Sequence, residues 1–500
     1  MSFMKQNFVH EITILPDGRK LFANDGASLL DVLRSVGVFI SAACGGNGTC
    51  GKCKVRLISG TVGGVSPDFD NCILSCSAIV KGNIEIELIN PIISELTDAS
   101  SVLPTEADIF GVVDIGTTVI AAATVSESDG KILSALTEMN PQGAYGADVL
   151  TRISACNDGK LKILQELATS KISDMLTSLG GGRRFKRVVI AANTTMQHIL
   201  LGVDPSSIGV YPFTPSFTNT QYRNGAELGI PADEICVLAS ASAYIGSDIT
   251  AGAVALNIHN DARTVMLVDV GTNGEVLISH KGKIYAASTA AGPALEGASI
   301  ECGVAGVKGA ISSVGYDNGE LVISTVDGEY PVGICGSGLI DLIKVLTEEG
   351  IIDQTGAFDY DNDSPLSRKL SIDKFYLTDN VYLSAADIRQ FQVAKAAISA
   401  GIEALLDNLN IGAADVDLVY IAGGLGNHMK IDSAIRVGML PKEFLQKTVL
   451  IGNTALLGAA FASKSNGNIR TIEEVASKVN VVELSFSEFF RIRYIENMYF

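Results

Sequence analysis

The chain has 500 residues, 47% of them hydrophobic, so it can bury several cores, and its length alone suggests about two to four domains. A formal charge of -18, spread along the chain, disfavours nucleic acid and anionic membrane surfaces as partners. No apolar run is long enough to span a bilayer, and the first ten residues lack the basic start and apolar stretch of a secretory signal, so the cytoplasm is the expected compartment.

Residues 8 to 16 alternate enough for a strand, Asp17-Gly18 marks a hairpin turn, and 27 to 36 has helical spacing. There follows Cys44-Gly-Gly-Asn-Gly-Thr-Cys50-Gly-Lys-Cys53, and then Leu74-Ser75-Cys76. Five of the nine cysteines lie between 44 and 76, where a metal cluster explains them better than a disulfide framework does. Plant-type 2Fe-2S sites use three clustered cysteines and a distant fourth. A zinc ribbon needs two Cys-x2-Cys pairs, and only one is present. Glycines at 45, 46, 48 and 51 let the backbone amides curl toward an anionic cluster. The ligand set read here is Cys44, Cys50, Cys53 and a fourth from Cys76 or Cys72; Cys76 is preferred because Leu-Ser-Cys resembles the Leu-Ala-Cys of plant-type ferredoxins. Cys156, Cys236, Cys302 and Cys335 are scattered and read as ordinary buried thiols. Further strands at 55–58 and 84–88 close a 2Fe-2S ferredoxin-like domain at 1–90.

Residues 91–108 are rich in Ser, Thr, Asp and Pro and read as a flexible linker, about 25 Å end to end on average and about 60 Å if extended. From Phe110 onward, apolar strands ending in glycine alternate with helices, which predicts a sheet covered on both faces. Val112-Val-Asp-Ile-Gly-Thr-Thr118 and Val268-Asp-Val-Gly-Thr-Asn-Gly-Glu275 repeat one pattern: an apolar strand, Asp at its end, then Gly-Thr opening a hairpin. Two related lobes are expected, at 109–257 and 258–500.

Each turn offers a carboxylate for a magnesium shell, a glycine that lets amides approach phosphate, and hydroxyl donors. The residues concerned are Asp114, Gly116, Thr117 and Thr118, and Asp269, Gly271, Thr272, Asn273 and Gly274. A third element, Val419-Tyr-Ile-Ala-Gly-Gly-Leu-Gly-Asn-His428, runs a strand into Gly423, Gly424 and Gly426 at an expected helix start, suited to a nucleoside and its α-phosphate. Asp248, in Gly-Ser-Asp before an Ala-rich helix, either orients a water for attack on the γ-phosphate or caps that helix. Asn193-Thr194-Thr195 and Gly336-Ser337-Gly338 are turns at strand ends that either contact nucleotide or cap helices. His198 and His428 stand alone and read as packed or surface histidines.

The three elements in this order resemble the phosphate-1, phosphate-2 and adenosine motifs of the actin, Hsp70 and sugar-kinase superfamily. The expected fold is therefore an α+β plant-type ferredoxin (β-grasp) domain followed by a two-lobed α/β actin-like ATPase with ribonuclease H-like lobes. The combination resembles the reductive activators of corrinoid proteins found with anaerobic methyltransferases. Asn140-Pro-Gln-Gly-Ala-Tyr-Gly-Ala-Asp-Val149, Gly292-Pro-Ala-Leu-Glu-Gly297, Gly333-Ile-Cys-Gly-Ser-Gly338 and Ala422-Gly-Gly-Leu-Gly426 also fit that family. The resemblance implies a 2Fe-2S cluster, ATP and Mg2+ as cofactors, and Asp114, Asp248 and Asp269 as the catalytic carboxylates. It implies ATP-dependent transfer of a low-potential electron, from a donor such as a ferredoxin or flavodoxin, to the Co(II) form of a corrinoid protein, and it allows a homodimer. One departure is noted: larger members carry a middle domain after the linker, whereas here the linker runs almost directly into Phe110, which puts dimerisation or docking attributed to that domain in doubt. The alternatives are a small-molecule kinase, an ATP-driven activator of a radical dehydratase or reductase, and a redox-sensing binding module.

Overall fold

The computed structural model describes residues 9–15, 19–35, 38, 40, 46, 48, 53–88, 109–127, 130–424 and 429–500. Cys44, Cys50, Gly426, His428, the Asp17-Gly18 turn and the 91–108 linker lie outside the described residues.

The N-terminal unit is a five-stranded sheet in the order Arg19–Asn24, Val9–Leu15, Ile84–Leu88, Lys54–Ser59, Cys72–Leu74. Val9–Leu15 pairs antiparallel with Arg19–Asn24 and parallel with Ile84–Leu88, giving the crossed central pair of a β-grasp sheet. The alternation that suggested strands is physical: along Lys54–Ser59, Val55 and Leu57 are buried while Lys54, Arg56 and Ile58 face out. The helix Leu29–Ser35 buries Leu29, Leu30 and Leu33 against Ile12, Ile14, Val55 and Ile86.

The remainder folds as two lobes with the same sheet plan. In the first, Ile132–Met139, Val119–Ser126, Ile109–Ile115, Phe185–Ala192 and Ala232–Val237 lie side by side, with Gln221–Asn224 at the edge. In the second, Lys283–Thr289, Gly274–His280, Val265–Val270, Leu418–Ala422 and Thr448–Gly452 follow the same order, with Val479–Val481 at the opposite edge. In both, the first three strands in sequence form an antiparallel meander and the next two join in parallel, so the repeat seen in the sequence is a repeated ribonuclease H-like sheet. The central strands are apolar on both faces because helices cover both: Val188, Val189, Ile190, Ala191 and Ala192 are all fully buried.

The lobes share a core. The helix Ser247–Ala255 crosses the helix Thr454–Ser463 at very close range, since a Cβ on Gly252 would stand 2.8 Å from Thr454 and one on Gly458 would stand 2.4 Å from the Ala251 backbone. Among the described residues no helix is long and apolar enough to cross a membrane.

Two local expectations are corrected. The helix after the adenosine-type motif does not begin at Gly423 or Gly424; it spans Ile431–Arg436. Gly423 has φ +96°, a left-handed conformation that a right-handed helix cannot contain, and its Cβ position lies 2.4 Å from the Val270 carbonyl. Asp248 is not the helix cap either: the cap is Gly246, and Asp248 sits in the first turn of Ser247–Ala255.

Candidate functional site

Both Asp-x-Gly-Thr turns open at the same end of their sheets and face each other across a cavity of about 280 Å3. Its walls include Asp114, Gly116 and Thr117 from the first turn and Asp269, Gly271, Thr272 and Asn273 from the second. Asp248, Gly423 and Gly424 complete the set expected from the sequence. Thr118 reaches it through Glu296, whose Oε2 accepts a 2.6 Å hydrogen bond from Thr118 Oγ1. Gly274 begins the strand beyond the second turn, where it allows close approach to Thr289. Gly336, Ser337 and Gly338 do not line the cavity. They form the first turn of the helix Gly336–Glu348, Ser337 donates to the Ser312 carbonyl, and a Cβ on Gly338 would stand 2.2 Å from the Ile311 carbonyl. Helix packing accounts for these small residues.

The first turn is held from behind. Asn140 Nδ2 donates to the Gly116 carbonyl at 2.8 Å, and the buried Arg152 donates to the Thr117 carbonyl, to Gly146 and to Gln142. With these carbonyls tied down, the amides and hydroxyls of the turn are left to face the cavity. The Asn140–Val149 stretch thus buttresses the phosphate-1 turn. Asn193, from one of the hydroxyl turns, reaches Thr117 Oγ1 at 3.4 Å and also caps the helix Thr194–Leu200. His198 is a packed histidine: both ring nitrogens meet backbone groups and its ring stacks on Phe217.

Among the described residues five carboxylates meet in this cleft, Asp114, Asp248, Asp269, Glu275 and Glu296, and no lysine or arginine lines it. Glu275 lies directly opposite Asp269 on the paired strand, a like-charge cross-strand pair. Burial raises Asp269 to about 8, with Asp248, Asp114 and Glu296 pushing further. Asp114 is raised to about 7 by burial, against a 2.8 Å hydrogen bond from Asn453, and Asp248 to about 6 by burial. Glu275 and Glu296 are raised for the same first reason. A carboxyl whose folded value lies above its unfolded value of about 4 contributes stability that is full below pH 4 and lost as the pH climbs through the folded value. The nucleotide-free protein is therefore expected to lose melting temperature between pH 5 and pH 8; a flat or rising profile over that window would contradict this electrostatic picture. Among the described residues no three His, Cys, Asp or Glu side chains are grouped tightly enough to cage a metal ion.

Glu275, Glu296 and Asn453 were missed as site residues in the sequence. The two glutamates stood in motifs noted for other reasons, while Asn453 carried no signal beyond capping the helix Thr454–Ser463.

In the N-terminal unit, Cys53 is 1% exposed and Cys76 approaches it closely enough to hydrogen-bond through both backbone and side chain. Burial pushes the Cys53 thiol up to about 11. Gly46 and Gly48 lie beside Cys76 and Ser77, since a Cβ on Gly46 would stand 3.9 Å from Cys76 Cβ and one on Gly48 3.4 Å from Ser77 Oγ. Cys72 belongs to the strand Cys72–Leu74; its thiol lies 3.5 Å from the Asp70 carbonyl and next to Arg56.

Comparison with known proteins accounts for these parts in order. Residues 12–81 match the model of the 2Fe-2S iron-sulfur cluster binding domain, 110–261 the RACo middle region, and 263–500 the C-terminal ASKHA domain of RACo. The stretch matched to the RACo middle region is the one that forms the first lobe of the cleft. The chain is 29% identical over 422 residues to the corrinoid activation enzyme RamQ of Eubacterium limosum, covering 79% of this chain and 71% of RamQ. It is 26% identical over 273 residues to the [Co(II) methylated amine-specific corrinoid protein] reductase of Methanosarcina barkeri, spanning 50% of this chain and 48% of that protein. Among solved structures, the reductive activator for corrinoid, iron-sulfur protein superposes with a TM-score of 0.73 at 25% identity, covering 98% of each chain. A ferredoxin-type unit, the RACo middle region and the RACo ASKHA domain in one order, together with a solved activator matched along nearly the whole length, show that the chain belongs to the family of corrinoid reductive activators.

Proposed function

We propose that this protein uses ATP to drive one electron, taken from a low-potential donor such as a ferredoxin or flavodoxin, onto the Co(II) of a corrinoid protein, yielding Co(I) for an anaerobic methyltransferase system in the cytoplasm. The observation that carries the reading is the facing pair of Asp-x-Gly-Thr turns in a chain whose N-terminal unit is of the 2Fe-2S type. Cys44, Cys50, Cys53 and Cys76 would hold the cluster, and the buried, closely spaced Cys53 and Cys76 fit thiolate ligation. A 2Fe-2S group there supplies one-electron capacity near -400 mV, and each 100 mV that the acceptor lies below it costs about 2.3 kcal/mol.

In the cleft, Asp114 and Asp269 would hold magnesium, which neutralises charge on the phosphates. That ion keeps several waters and binds through one or two carboxylates and the phosphates themselves, so two aspartates suffice. Thr117, Thr118, Thr272 and Asn273 donate to phosphate oxygens, and Gly423 and Gly424 let the nucleoside end approach the backbone. Asp248, raised toward neutrality and aimed into the cavity, orients the attacking water. Closure of the lobes about the Gly252 and Gly458 helix crossing couples nucleotide state to docking on the corrinoid partner.

The test mixes the reduced protein with a Co(II) corrinoid protein and follows cobalt absorbance with and without ATP and magnesium. Co(I) should form only in their presence. If none forms with any donor the reading fails, and a phosphorylated metabolite would favour a kinase instead.

A further inference from the structure

Glu296 holds a distinct place among the cleft carboxylates. It ends the 3-10 turn Pro293–Glu296, and its Oε2 accepts hydrogen bonds from Thr118 Oγ1 on the first lobe and Thr272 Oγ1 on the second. A single oxygen thus ties together the two turns that face each other across the cavity. Two hydroxyl donors converging from opposite walls make a seat for an oxyanion, and here the protein's own carboxylate fills it. Among the described residues no lysine or arginine lines the cavity to offset a second anion at that point. The buried Arg152 acts on Glu296 only from behind the first turn, where its guanidinium is already committed to backbone carbonyls.

We infer that Glu296 is the residue by which the cleft tells a nucleoside triphosphate from a diphosphate: its carboxylate occupies the seat of the terminal phosphoryl group, and a triphosphate gains both threonine hydroxyls only by displacing it. This rests on the nucleotide reading of the cleft. A diphosphate leaves the Thr118–Glu296–Thr272 clasp closed, whereas a triphosphate replaces it with contacts to its own oxygens. The link between lobes then differs with nucleotide state, which a ligand must achieve if it is to shift a conformational equilibrium. Glu296 acts through the two threonines and is a specificity residue, separate from the water-orienting carboxylate.

The experiment titrates the full chain, in magnesium, with ADP and with a non-hydrolysable ATP analogue, comparing wild type with Glu296→Gln and Glu296→Ala. Both variants should raise the ratio of analogue affinity to ADP affinity by about 5- to 150-fold, the usual span of such couplings. ADP binding itself reports a folded cleft, and should the alanine variant lose it, the isosteric glutamine variant decides. A ratio that stays constant while both affinities change marks Glu296 as merely structural and overturns the inference, as does a ratio that falls. A wild-type protein that binds neither nucleotide overturns the reading of the cleft itself.

Discussion

Cys76→Ala is expected to leave the protein without its iron-sulfur chromophore, while Cys72→Ala should keep it. The two cysteines are four residues apart and both stand at the right distance from the 44–53 loop, so spacing alone leaves them nearly equivalent. Their surroundings differ. Cys76 lies beside the buried Cys53 and close to Gly46 of the ligand motif. The Cys72 thiol is turned toward the Asp70 carbonyl beside Arg56, and its backbone N–H is engaged by Asp68 at 2.8 Å. With Cys53 raised to about 11 by burial, its thiolate forms at neutral pH only as iron replaces the proton, so assembly releases protons and should strengthen as the pH rises. Iron and sulfide content, visible absorption and the EPR signal of the reduced form provide the check. A cluster that survives in Cys76→Ala and disappears in Cys72→Ala would reverse the assignment. Nucleotide binding should be intact in both variants, because the described residues that line the cleft all lie beyond 109.

Much of the cleft was readable from sequence because its parts are local. Asp114 and Asp269 end strands and are followed at once by the glycine and hydroxyls of their own turns, so one short window contains a carboxylate, a close-approach backbone and a donor. The duplication of that window foretold two lobes. What remained hidden is assembled from afar. Glu296 meets Thr118 across 178 residues, and Asn453 reaches Asp114 across 339, both from turns whose local sequence reads as ordinary punctuation. Arg152 was hidden for a different reason: a lone arginine in a short helix suggests solvent, yet here it is wholly buried with backbone carbonyls as partners. The misplaced helix start at Gly423 shows the same limit from the opposite side. A Gly-Gly pair at a strand end can open a helix or permit a left-handed turn, and the choice is made by the carbonyl of Val270, on a strand distant in sequence.

Asp269→Asn should lower ATP-driven electron transfer while raising the melting temperature of the nucleotide-free protein. Asp269 is the most perturbed of the three cleft aspartates, raised to about 8, because it is buried and three other carboxylates act on it. Asparagine keeps the shape and removes the charge, so the repulsion across the Asp269 and Glu275 strand pair is relieved and the loss of stability between pH 5 and pH 8 shrinks. The same change removes an acceptor for magnesium and its waters where phosphate charge must be balanced, in a cleft lined among the described residues by no lysine or arginine. Loss of one such electrostatic contributor lowers turnover by about 10²- to 10³-fold. Melting curves across that pH window, ATPase rates and Co(I) yield measured on one preparation separate the two effects. The absorption spectrum of the N-terminal unit should not change, which makes it an internal control for folding. Opposite signs in stability and activity are the mark of a residue kept for function at a cost to the fold. If Asp269→Asn keeps wild-type ATPase activity, the carboxylate does not serve the phosphates; if it melts lower than wild type, the charge is compensated in the folded cleft and the electrostatic account of these five carboxylates fails.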